Sequence, residues 1–304
     1  MKKRTSNISF INFFDKRIKI LEEFQRHGTA RNYKSAKTSL NSFLNGRDIS
    51  LLEINHHIIE EYSLWLQNRH ILKNTISFYM RILRAVYNRA VKEGLVAQSN
   101  PFRDVYTGVD KTRKRFINPD VVKRLIALQI QDRKLSLARD LFIFGIFTRG
   151  MSFVDIAFLK KENIKGSEIS YIRSKTHHKM TVRIEKETYA ILQNYISAKP
   201  SSKYIFPIID DSLEMSPYSQ YEKALCSYNY RLRKLRNILK LDTPLTSYTV
   251  RHTWASIASR MNIPLAVISQ GMGHTSQRTT EIYLAELESG QIDLANKQII
   301  EFLT

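Results

Sequence analysis

The chain has 304 residues, 43% of them hydrophobic, enough for two domains with cores of their own and inconsistent with global disorder. Lys and Arg number 48 against 28 Asp and Glu, and the resulting net charge of +20 points to a polyanion, either nucleic acid or an anionic membrane surface. The longest apolar run, LFIFGIF at residues 141–147, falls far short of the roughly 20 residues that cross a bilayer, so the membrane reading is set aside.

The basic start MKKRTSNISFINFFDKR lacks the continuous apolar core of a signal peptide. A lone cysteine, Cys226, excludes an internal disulfide framework and a CxxC zinc site, and is read as a small buried apolar residue. The class that remains is a cytoplasmic, nucleic-acid-binding protein.

Helical periodicity runs from residue 8 to 24, and Gly28 is expected to end that helix before a new cap at Thr29. TARNYKSAKTSLNSFL follows, apolar on one face and basic on the other. Asn55 is placed as the cap of HHIIEEYSLWLQNR, and Asn74 as the cap of TISFYMRILRAVYNRAVKEG, which Gly94 terminates. These segments make a helical DNA-binding domain over 1–98. Residues 99–117 contain Pro, Gly and the cluster Lys111-Thr112-Arg113-Lys114-Arg115, and read as a basic interdomain linker tracking phosphates.

Asn118-Pro119 opens a second domain, 118–304, with a cap followed by proline at the first helical position. Helices continue through LSLARDLFIFGIF and SFVDIAFLK. At EISYIRSKTHHKMTVRI, residues 168–184, alternating apolar positions flank a polar turn and predict a β-hairpin, with Tyr204-Ile205-Phe206 as a third short strand. The helical pattern then returns. The fold class is mainly α with a small antiparallel β-sheet.

Breaking a phosphodiester without a metal requires a nucleophile in line, cationic donors for the phosphorane, and an acid for the leaving oxygen. The second domain offers candidates for each: Arg149 at the end of an apolar helix, Lys175 on the hairpin turn, Arg251 in SYTVRHTWAS, and His274 and Tyr283 in GMGHTSQRTTEIYL. Singly, each has a plain structural explanation: Tyr283 as a core residue, His274 as a cap, Lys175 as a solvated turn residue. His177 and His178 have no cysteine or carboxylate spaced to complete a metal site and read as turn residues. His56 and His57 merely open a helix.

The ordered set resembles the tyrosine recombinases, or phage integrases, over nearly the whole chain: a helical, SAM-like core-binding domain, a linker beginning at SNPF, and a catalytic domain closed by GMGHTSQRTTEIY. The resemblance implies that Tyr283 attacks the scissile phosphate, forming a 3′-phosphotyrosyl bond. It assigns Lys175 to protonate the 5′ oxygen, and Arg251 and His274 to hold the nonbridging oxygens. Neither ATP, metal nor another cofactor is required. Two positions depart from the family pattern. Tyr248 stands where His-x-x-Arg has its histidine, and its hydroxyl donates to phosphate or relays a proton, although a pKa near 10 makes it a poor base. Ser152 stands where TGLRxxEL has its arginine, when RGMSFVDI is aligned through Asp155. Arg149, three residues earlier and one helical turn away, is expected to supply that guanidinium, and Asp155 to orient the site.

In the first domain, Arg31, Lys34, Lys37, Lys73, Arg81 and Arg84 are candidate DNA-backbone contacts, as are Arg231 and Lys234 beside the apolar seam of RLRKLRNILK in the second. The last amphipathic stretch, IDLANKQIIEFL, is expected to dock on a neighbouring protomer, since the family works as a tetramer on paired sites of double-stranded DNA. With no arm-binding domain before the core-binding helices, a simple recombinase such as an invertase or resolver is favoured over a large phage-type integrase. The competing readings are a catalytically inactive DNA-binding protein of the same fold and a basic protein that coats nucleic acid.

Overall fold

The computed structural model describes residues 8–110, 116–274, 276, 279–281 and 300–301. The chain divides into two compact units, Met1–Thr112 and Arg113–Thr304.

The first unit is built from helices α1 (Phe10–Glu23), α2 (His27–Phe43), α3 (His56–Asn68) and α4 (Lys73–Lys92). Their apolar faces meet around Phe10, Phe14, Leu40, Tyr62, Met80, Leu83 and Tyr87, all buried. Burying each of the larger side chains contributes about 1.5–3 kcal/mol against conformational entropy. Asn55 caps α3 by accepting from the Ile58 amide at 3.1 Å. Gly94 ends α4 at φ 72°, with Gly94 N–H donating to Val91 and Leu95 N–H to Ala90, a Schellman close.

Two expected caps are corrected. Gly28 lies within the first turn of α2, and the chain reverses instead at Gln25, φ 54°. Asn74 lies inside α4, and its amide bonds to Asp110 in both directions, at 2.9 and 2.7 Å. The same contact changes the reading of 99–110, placed in the linker by sequence. Phe102 is buried in the first core, and Ser77 Oγ donates to the Gly108 carbonyl at 2.5 Å, so this stretch folds onto α4.

The second unit begins at α5 (Pro119–Ala127), capped by Asn118 with proline at the first turn. Helix α6 (Arg133–Phe147) is its centre, with every residue from Asp140 to Ile146 buried. Around it pack α7 (Phe153–Ala157), α8 (Lys186–Ala198), α9 (Pro217–Ile238) and α10 (Thr249–Arg260), followed by α11 (Leu265–Gly271). Gly145 is the close point: a Cβ there would stand 2.8 Å from Val250 Cγ1 on α10. The charge buried within α6 is neutralised locally, because Asp140 accepts from Arg139 at 2.8 Å and from the Tyr195 hydroxyl at 2.7 Å.

Strands β1 (Ile164–Lys165), β2 (Glu168–Ile172) and β3 (Lys179–Arg183) form an antiparallel sheet in that order, with Ile169 opposite Val182 and Tyr171 opposite Met180. The hairpin forms as the alternation predicts. Its third strand is β1, however; Tyr204 makes only an isolated bridge with Lys160. Cys226, expected inside, is exposed on α9, on the side away from Leu232 and Leu235.

Candidate active site

Four chain segments build the site, each held by a local feature of the sequence. After α6, Thr148 closes the helix with its hydroxyl on the Phe144 carbonyl at 2.7 Å. Arg149 and Gly150 then take successive left-handed conformations, φ 60° and 72°, and reverse the chain. This corrects the expected geometry: Arg149 and Ser152 are separated by a turn, not aligned one turn apart on a helix. The Arg149 guanidinium donates to the Thr181 carbonyl of β3 at 3.3 Å. Ser152 precedes α7 and gives its hydroxyl to Asp155 at 2.5 Å.

The hairpin supplies the second segment. Ile169 and Tyr171 point inward from β2, and one further step of the same alternation buries Arg173. The turn closes by hydrogen bonds between Arg173 and residues His177 and His178, with His177 at φ 56°. Asp155 reaches across from α7 and anchors this turn, its Oδ1 accepting from both the amide and the hydroxyl of Ser174 at 2.8 and 2.7 Å. Lys175 stands exposed at the tip, next to the anchored residue.

Helix α10 provides Arg251, buried, with Nη1 on the Gly150 carbonyl at 3.1 Å and Nη2 on the Met272 carbonyl. Tyr248 occupies the position before α10, largely exposed, its ring edge-on to His252 with centroids 4.5 Å apart.

The fourth segment is the turn after α11. Gly273 ends that helix at φ 62°, and His274 N–H returns to the Ser269 carbonyl at 3.0 Å. This Schellman arrangement fixes the direction in which His274 leaves the helix. The left-handed φ at 273 strains any side chain, and a Cβ there would also press on Met180 Sδ at 2.6 Å. His274 Nδ1 is 2.7 Å from the Thr280 hydroxyl. Burial lowers the His274 pKa to about 4, assisted by the positive charges of Arg251, Arg173 and Lys175. The imidazole is therefore neutral at pH 7, surrounded by cations.

The structure thus brings together Arg251, His274 and Lys175, with Asp155 as anchor and Arg149 on the adjoining turn. Tyr283 and the linker cations Lys111, Arg113, Lys114 and Arg115 lie outside the described residues. Arg173 escaped the sequence reading, although its position two residues beyond the inward-facing Tyr171 was a usable signal. No group of three or more His, Cys, Asp or Glu suited to a metal occurs among the described residues, and no helix among them is long and apolar enough to cross a membrane.

The candidate DNA contacts differ in availability. Arg31 is exposed on α2. Lys34 pairs with Glu22 at 2.5 Å and Lys37 with Asp15 at 2.6 Å, so both neutralise α1. Lys73 lies over the Tyr106 ring at 4.6 Å and 3.7 Å from Asp110. Arg81 and Arg84 are exposed on α4, bonded to the Ser77 carbonyl and the Thr107 hydroxyl. On α9, Arg231 is half-buried against Ser227, and Lys234 is exposed beside Tyr230.

Comparison with known proteins identifies both units. The phage integrase SAM-like domain matches residues 9–107, and the phage integrase family matches residues 115–289. The chain is 22% identical over 268 residues to a tyrosine recombinase of Pseudothermotoga lettingae, covering 85% of this chain and 87% of that protein. It is 20% identical over 272 residues to the tyrosine recombinase XerD of Pseudomonas aeruginosa, covering 86% and 88%. The fold is shared with lambda integrase residues 75–356, solved as a dimer bound to a COC′ core site, at TM-score 0.67 and 16% identity over 91% of this chain and 95% of that one. A lambda integrase tetramer bound to a Holliday junction superposes at TM-score 0.66, with 16% identity over 91% and 78%. A helical SAM-like domain, a mostly helical second domain with a three-stranded sheet, and matches over both halves place this chain in the phage integrase family, the tyrosine recombinases.

Proposed function

We propose that this chain is a site-specific DNA recombinase that cleaves and rejoins double-stranded DNA through a covalent phosphotyrosyl intermediate. The observation that carries the reading is the gathering of Arg251, Lys175 and a neutral His274 in one place, two of them delivered by turns whose backbone is tightly specified. Arginine is suited to the phosphorane because its fork gives two parallel hydrogen bonds to phosphate oxygens.

In the proposed step the Tyr283 oxygen attacks phosphorus in line and the bond from phosphorus to the 5′ oxygen breaks. The phenolic proton passes to solvent, and Lys175 delivers a proton to the leaving oxygen and regains one from solvent, so the net proton balance is unchanged. Arg251 and His274 bond the nonbridging oxygens, whose charge grows in the transition state. Tyr248, exposed before α10, adds a neutral hydroxyl at the rim. The new ester retains the bond's free energy, and attack by a 5′ hydroxyl reverses the step without ATP.

The exposed cations of the first unit, with Lys234 of α9 and the linker cluster, hold the DNA backbone. Paired sites are brought together by a tetramer of this chain acting in the cytoplasm. The test is trapping on a nicked duplex that loses its 5′ fragment after cleavage. Wild-type protein should accumulate a covalent adduct, and Tyr283→Phe should bind the same DNA and form none. An adduct that persists in the variant refutes the assignment of the nucleophile; none in either protein favours an inactive DNA-binding protein.

A further inference from the structure

The family's first arginine is replaced by Ser152, and Ser152 spends its hydroxyl on Asp155. A phosphorane carries more negative charge than the phosphodiester from which it forms, and one guanidinium, Arg251, leaves a second forked donor missing. Two residues compete for that place, Arg149 and Arg173.

Arg149 is in a left-handed turn and its guanidinium is directed to the Thr181 carbonyl on β3. Arg173 differs in each respect. It is 6% exposed, and no ion-pair partner of it occurs among the described residues. Nη1 donates to the Gly273 carbonyl at 2.6 Å, immediately before His274, and more weakly to the Thr176 hydroxyl at 3.4 Å. Its Nε is buried with no hydrogen-bond partner among the described residues. An unpaired buried guanidinium is destabilising by several kcal/mol unless an anion satisfies it. The only anion the proposed reaction supplies here is the phosphate.

The geometry points to Arg173 as the second guanidinium of the site, donating to a nonbridging oxygen of the scissile phosphate in place of the residue lost at Ser152. This rests on the recombinase reading. Arg173 and Arg251 hold adjacent carbonyls of one turn, Gly273 and Met272, and so approach His274 from the hairpin and from α10. The two forks then flank the imidazole, and Lys175 follows Arg173 by two residues to reach the leaving oxygen. Arg173 directly follows β2, and its amide and carbonyl close the hairpin turn on His178 and His177.

Single-turnover cleavage tests this on duplexes carrying the DNA that flanks the coding region, with either a phosphodiester or a methylphosphonate at the scissile position. The methylphosphonate replaces one charged nonbridging oxygen with a neutral methyl group and so removes the demand for one cation. Arg173→Ala should slow phosphodiester cleavage about a hundredfold or more with DNA binding retained. Arg173→Lys should recover part of the rate, and Arg149→Ala should stay within a few-fold of wild type. On the methylphosphonate the Arg173→Ala deficit should shrink to a few-fold. Wild-type cleavage by Arg173→Ala overturns the proposal, as does an equal loss on both substrates, which marks a structural role, or the selective loss appearing in Arg149→Ala. A wild-type protein that forms no adduct with the phosphodiester overturns the recombinase reading itself. Thermal unfolding of each variant separates misfolding from lost chemistry.

Discussion

Asp155 Oδ1 accepts two hydrogen bonds from one residue, Ser174, and so ties the start of α7 to the hairpin turn carrying Arg173 and Lys175. Its other oxygen holds Ser152, so the carboxylate is satisfied on both sides while buried. Hydrogen bonds to a charged acceptor contribute about 1.5–3 kcal/mol each. Asp155→Ala should therefore lower stability by about 2–4 kcal/mol, leaving Ser174 N–H without an acceptor. It should also slow single-turnover cleavage more than tenfold, through a displaced Lys175, with DNA affinity nearly unchanged. Calorimetric unfolding and adduct kinetics on the same preparation check both parts.

The depressed His274 pKa fixes a pH dependence. An unfolded imidazole takes up a proton below about 6.5, whereas the folded one resists until about 4, first through burial and then through Arg251, Arg173 and Lys175. Between those values the unfolded state binds more protons, so stability rises with pH across that window and is lost as pH falls through it. His274→Gln lacks this component. Urea midpoints of wild type and variant measured from pH 4 to 7 should differ in slope between pH 4 and 6.5 and run parallel above it. A bound phosphate should raise the His274 pKa, which its ring resonances report on adding DNA.

Much of this site was legible because turn chemistry is local. Gly273 before His274, Asn118-Pro119 before α5, and the alternation in β2 and β3 each declared themselves in a few residues. What escaped reading depends on contacts distant in sequence. Asn74 has the composition of a cap but finds Asp110, and residues after 99 find a core to join through Phe102. The third strand was assigned to Tyr204 because β1 is two residues long and carries no pattern of its own. Arg173 was passed over for a related reason. A charged residue at an inward position reads as the end of a strand until a partner turn, here Gly273, is known to lie opposite.

Charge alone does not identify DNA contacts. Lys37 is half-buried and bonded to Asp15 at 2.6 Å, joining α2 to α1, whereas Arg31 is exposed six residues earlier on the same helix. Lys37→Ala should reduce stability, by about 1 kcal/mol, and change DNA affinity little at fixed folding. Arg31→Ala should lower the slope of log affinity against log salt by about 0.9, the loss expected for one phosphate contact. Titrations at four or more salt concentrations resolve the two. A salt slope unaltered by Arg31→Ala removes it from the interface.

Gly94 and Gly150 share a φ of 72° but stand in different surroundings, which isolates what the second does for the site. A Cβ on Gly94 meets nothing within 4 Å; one on Gly150 stands 3.1 Å from Arg251 Cα and 3.3 Å from its Cγ. The Gly150 carbonyl also accepts from Arg251 Nη1, so a displaced backbone at 150 removes a support as well as adding a clash. Gly94→Ala should cost about 1 kcal/mol, the strain of a left-handed alanine alone, with cleavage unaffected. Gly150→Ala should cost about 2–4 kcal/mol, because backbone strain adds to a contact with main-chain atoms that cannot swing aside. Cleavage by the folded Gly150→Ala protein should also fall at least tenfold, since Arg251 is moved from the phosphate position. Unfolding and single-turnover rates compared between the two variants decide it. Equal effects on both quantities would show that Gly150 serves only to turn the chain.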